Sequence, residues 1–328
     1  MRILFGLIAA IFAAGSGPAL AQAYQPPRHT SEPPAQFTRS SPAELAGYAD
    51  RGIQVDQGKD PRALLAEQRK LAKALGALLP QRKGVVDAYV VSIAMDSDPV
   101  FGREAREAGH VLSRRFDAAG RTITLAGTNG SAPSDLPMGT PETLGIALAR
   151  IAEVMDPKED VLILYETSHG APWGVVYNDG NQGFGAVSPT RLATMLYELG
   201  ITRRMLIISA CFSGIFLPPL ADDMSVVVTA ARSDRTSFGC RAENDWTFFG
   251  DAFVNLGMRK PQPLAAAFAE AQGLIAGWEA IGGVKPSEPQ IAVGAKVESW
   301  LGPLEQRMPR VATDPVGKPA ISAFEAPK

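Results

Sequence analysis

Cysteine and histidine are scarce in this chain, 2 and 3 in 328 residues. A metal centre built from them needs ligands at short, clustered spacings. Cys211, Cys240, His29, His110 and His169 lie scattered instead, so neither a metal nor a cofactor is expected. The same scarcity excludes a disulfide-dense scaffold. Charge of one sign is lacking too: 32 basic side chains face 34 acidic ones, for a net charge of −2. That balance carries no basic footprint, and nucleic acid is not an expected partner. Long apolar runs are absent beyond the N-terminus, and a spanning helix needs ~20 such residues. The mature chain should therefore have no integral membrane segment.

Hydrophobic residues nevertheless make up 46% of the chain, enough for a sizeable core. The first residues have a distinct grammar: Arg2, an apolar run from Ile3 to Ala14, then Ala19-Leu20-Ala21. This order predicts a signal peptide over 1–21, cut after Ala21, and a periplasmic or secreted product. Export leaves the two cysteines with two readings, a single Cys211–Cys240 bridge or a reactive thiol.

Residues 22–59 are polar and open on a proline-rich stretch, which predicts an extended leader. From residue 60 to 300, strand and helix signals alternate. The runs "DAYVVSIAM" (87–95), "RTITLA" (121–126), "DVLILYE" (160–166), "RMLIISA" (204–210) and "SVVVTAA" (225–231) read as strands, with "PQIAVG" (289–294) as a last one. Helical patterns separate them, several opening on a capping residue followed by proline, as at Thr140-Pro141 and Ser188-Pro189. Residues 171–187 read as a loop, and 301–328 as a disordered tail. The expected fold class is α/β: a three-layer α/β/α sandwich around a mainly parallel sheet.

In such sheets the site lies beyond the carboxyl ends of the strands. Two strands end there on chemically able residues. "DVLILYE" runs into "TSHG" with His169, and "RMLIISA" into "CFSG" with Cys211. A thiol attacks carbonyls as a thiolate, and an adjacent imidazole takes its proton and later delivers one to the leaving amine. The developing oxyanion needs fixed N–H donors; the amides of Gly170 and Cys211 are the candidates. His29 in the leader and His110 in a helical stretch are not placed for this work.

The pair "TSHG" and "SACFSG", each after an apolar strand, resembles the legumain-type cysteine endopeptidases of the caspase-like fold. The likeness extends through "VVVTAARSDRTSFGC", "DWTFFGDAF" and "SEPQIAVG", over roughly residues 85–295, and is nearest the bacterial branch. The resemblance implies a peptidase domain over 60–300, with His169 as general base and acid, Cys211 as nucleophile, and a peptide or protein as substrate. It also implies a polar pocket for the residue before the scissile bond. Ser237 in "RTSFGC", Asp251 in "FFGDAF" and Arg103 in "VFGREA" are its candidates. Two departures stand out. Phe212 follows the nucleophile where the family has an acidic residue, and no third residue that would orient the imidazole is visible. The family segment also carries a cysteine at the place of Cys240, which favours a structural role there. Transpeptidation uses the same thioester and stands as an alternative, as does a non-catalytic envelope scaffold.

Overall fold

The structure is a computed structural model, and it describes residues 32–127 and 134–324. The expected signal peptide and the start of the leader lie outside the described residues. Helix starts follow one rule. α2 (Pro42–Asp50), α3 (Pro61–Gly76), α4 (Pro99–Arg115), α5 (Pro141–Val154) and α6 (Pro189–Glu198) all have proline in the first turn. Proline's missing N–H costs nothing at that position, and its φ is already helical. Ser41, Asp60, Thr140 and Ser188 before it each accept a backbone N–H. Asp98, the equivalent residue of α4, makes no side-chain cap bond. The remaining α-helices are the short α1 (Ala35–Thr38) and α7 (Leu217–Leu220), α8 (Leu264–Gly282) and α9 (Glu298–Arg307).

Six strands form the central sheet: β2 (Ala88–Ala94), β3 (Thr122–Leu125), β4 (Val161–Thr167), β8 (Arg204–Ser209), β9 (Ser225–Thr229) and β10 (Gln290–Val293), in the order β10-β9-β8-β4-β2-β3. All neighbours are parallel except β10, which runs antiparallel to β9. β2, β4, β8 and β9 are buried along their whole length, as apolar runs covered on both faces should be. One face packs Ala108 and Leu112 of α4, Phe268 and Ile275 of α8, and Trp300 of α9. The other packs Leu144, Leu148 and Ile151 of α5 with Leu192 and Leu196 of α6. This is the expected three-layer α/β/α sandwich with a mainly parallel sheet. No helix among the described residues is long and apolar enough to cross a membrane.

Three expectations fail. Residues 171–187 are not a loop but a hairpin, β6 (Gly174–Asp179) and β7 (Gly183–Val187), in a second antiparallel sheet of order β1-β7-β6-β5. Its strand β5 (Gly170–Ala171) directly follows His169. Residues 32–59 are not an extended leader: they fold into α1, α2 and β1 (Gln54–Asp56), and β1 pairs with β7. Lys59 ties this edge down, its ammonium 2.8 Å from Asp56 and 3.0 Å from Asp179. The region 301–324 is not disordered. It completes α9 and then runs along the wide-pitch helix Gly250–Gly257, with the buried Trp246 indole donating to the Val316 carbonyl at 2.7 Å. Composition misleads here because the bonds that order these segments come from residues far away in sequence.

Candidate active site

β4 and β8 are neighbours in register, with Thr167 opposite Ser209. His169 and Cys211 each lie two residues beyond that pair, so the parallel pairing alone delivers the imidazole and the thiol to one edge. The backbones there touch. A Cβ built on Gly170 would stand 2.0 Å from the Cys211 carbonyl oxygen and 2.9 Å from its nitrogen. Only glycine permits that approach. The turn out of β4 is fixed by the Ser168 hydroxyl, which donates to the Val176 carbonyl at 2.6 Å. The turn out of β8 runs through Phe212, a non-glycine residue in the left-handed region at φ 59°. Its amide donates to the Arg235 carbonyl at 2.8 Å. A conformation this sparsely populated persists only where surrounding bonds hold it.

The imidazole of His169 is half-exposed. Its Nε2 lies 3.3 Å from Asp98 Oδ2, and the Phe101 ring meets it edge-on at 5.0 Å between centroids. Burial pulls its pKa down, but the Asp98 hydrogen bond and the charges of Asp96 and Asp98 pull harder, so the net shift is upward. Asp98 thus takes the orienting place that the sequence left unassigned. The signal was legible in "MDSDP": an N-cap aspartate just past β2, whose end adjoins that of β4. Its carboxylate turns to the imidazole rather than to its own helix. Asp96, Asp98 and His169 each bring one ligand-type atom within 4.8 Å of the others.

Cys211 Sγ accepts a hydrogen bond from the Ser237 amide at 3.3 Å and lies 3.7 Å from the Ser237 hydroxyl. Neither cysteine is in a disulfide. Cys240 packs behind Phe101 in a small apolar cluster, and burial pushes its thiol well above the usual range.

The pocket candidates separate. Ser237 stands at the thiol. Arg103 reaches the carbonyls of Ala242 and Asn244, and its Nε lies 3.1 Å from Asp245 Oδ1. It thereby pins the loop that follows Ser237. Asp251 does not join them. Its buried carboxylate accepts the Asn255 side-chain amide at 2.8 Å and the Ala320 backbone amide at 2.6 Å, so it holds the C-terminal segment in place. The acid opposite Arg103 is Asp245, six positions earlier in "NDW". Asp245 also accepts the Lys318 amide at 2.8 Å.

The Peptidase C13 family model matches residues 144–299, the stretch that carries both His169 and Cys211. Over that stretch the chain is similar to the legumain-type cysteine peptidases. No curated protein matches it. Among solved structures, the crystal structure of caspase-1 from Spodoptera frugiperda is similar at 13% identity, covering 66% of this chain and 93% of that one with a TM-score of 0.42. A likeness of that size carries no argument about this chain.

Proposed function

We propose that the protein is an exported endopeptidase that cleaves peptide bonds through a thioester on Cys211. The single observation that carries the reading is the contact of Gly170 with the Cys211 backbone at the ends of two strands in register. His169 takes the Cys211 proton, and Sγ attacks the scissile carbonyl carbon. The tetrahedral oxyanion is met by the amides of Gly170 and Cys211. As the C–N bond breaks, the imidazolium gives its proton to the leaving amine. Water, deprotonated by the same imidazole, then attacks the thioester, releases the acid and restores the thiol. Asp98 holds the ring in one orientation throughout.

Arg103, Asp245 and Ser237 supply cationic, anionic and hydroxyl contacts for a polar side chain before the scissile bond. The N-terminal grammar of residues 1–21 supports export.

The test is a thiol-reactive peptide probe applied to reduced protein, followed by a peptide-library cleavage profile. Labelling that disappears in a folded Cys211→Ala variant, with cleavage after polar residues, is the expected result. A reduced wild type that neither labels nor cleaves is a scaffold instead.

A further inference from the structure

A buried carboxyl lies beneath both catalytic strand ends. Glu104 of α4 is fully buried. Its Oε1 accepts three hydroxyls: Tyr165 at 2.6 Å, Thr167 at 2.7 Å and Ser209 at 3.0 Å. Its Oε2 accepts the Thr247 backbone amide at 2.7 Å. Thr167 and Ser209 are the register partners that directly precede the catalytic turns. Thr247 opens the segment after Asp245, and its own hydroxyl lies 3.2 Å from that of Ser209. A single side chain therefore joins β4, β8 and the loop that faces Arg103, the residue next to it on α4.

The requirement for a carboxylate follows from donor counting. Four groups direct donors at it, three of them hydroxyls at one oxygen and one an amide at the other, a set that a carboxylate can accept in full. A carboxamide in the same place sets its NH2 either against the three hydroxyls or against the Thr247 N–H. The phenol of Tyr165 remains a donor, because its burial and the adjacent Glu104 charge push its pKa far up. The fold also makes room for this group. A Cβ on Gly250 would lie 2.4 Å from the Glu104 carboxyl carbon. The glycine of "FFGDAF" is thus explained by Glu104, whereas the neighbouring Asp251 serves the C-terminal segment.

We infer that Glu104 is the positioning residue that holds His169 and Cys211 in their mutual geometry and couples them to the Arg103–Asp245 loop. The inference rests on the peptidase reading above. Displacements of about 1 Å at a reacting centre cost on the order of 100-fold in rate. Glu104→Gln should accordingly lower kcat on a fluorogenic peptide by about 100-fold, with KM changed far less. A purely structural role would not move one further readout, the pH profile of Cys211 alkylation by iodoacetamide. With His169 held at the thiol, the wild type is expected to alkylate at lower pH than the variant. In Glu104→Gln the profile should move to that of an unassisted thiol, near pH ~8.5.

Thr167→Val and Ser209→Ala remove one donor each while leaving the carboxylate, and serve if Glu104→Gln does not fold. Each should lower kcat several-fold, the double variant should depart from additivity, and Thr167→Ser should restore wild-type kcat. Folded variants with unchanged kcat and an unchanged alkylation profile would overturn the inference. A wild type that the peptide probe does not label would instead defeat the peptidase reading itself, so the two failures are distinguishable.

Discussion

Two glutamates, both fully buried, make opposite bargains with the same sheet. Glu104 collects four donors, two of them from hydroxyls of β4. Glu166 lies on β4 between those two residues, Tyr165 and Thr167, and so points to the opposite face. Neither of its carboxyl oxygens has a hydrogen-bond partner, and burial pushes its pKa up to about 8. One carboxyl is ringed by directed N–H and O–H groups. The other is kept neutral because nothing compensates its charge. What decides the state of a buried acid is the donors that point at it rather than its depth.

Breaking this contrast should have its largest effect at Glu104. Glu104→Leu strands three hydroxyls and an amide in the core, and urea unfolding should show a loss of about 3–5 kcal/mol. The effect at Glu166 depends on pH. Burial raises its folded pKa from the usual 4.5 to about 8, so the unfolded state releases the proton first. The stability this group contributes is present below pH ~4.5 and is lost as pH rises through 8. Between pH 5 and 8 the wild type should lose on the order of 3 kcal/mol from this group. Glu166→Gln should flatten that slope in thermal unfolding at a series of pH values.

Gly250→Ala tests the space that Glu104 occupies, and overpacking there should cost about 1–3 kcal/mol by the same urea measurement. Asp98→Asn keeps the fold but weakens the charge that raises the imidazole pKa. Its kcat should fall about tenfold, equivalent to ~1.4 kcal/mol, and the His169 titration followed by NMR should move to lower pH. The smallest effect on activity is expected at Asp251: Asp251→Asn should leave KM unchanged and loosen only the C-terminal segment, detected as faster proteolysis there. Asp245→Asn, by contrast, should raise KM.

The central sheet was legible because its strands are written as apolar, β-branched runs between helices with clear starts. The ends of β2, β4, β8 and β9 fall within a residue or two of those runs. The placing of His169 and Cys211 at one edge was legible for the same reason, since parallel pairing in register fixes what lies two residues past each end. The hairpin β6–β7 was hidden by its glycines, Gly174, Gly180, Gly183 and Gly185, and its third strand comes from residues 54–56. Glu104 was hidden inside a helical run, because a carboxylate's partners across a sheet leave no trace in local spacing. Asp251 was picked from a motif whose glycine, rather than its acid, bears on the site.

The segment just before the last described helical turn, Ala320–Phe324, has a reach beyond its own length. Lys318 and Arg103 grip the same carboxylate, that of Asp245, from two sides. Trimming the polypeptide a dozen residues before its end therefore unfastens one of the two hands. The loop that faces Arg103 is thus tied to the C-terminal segment through one shared carboxylate.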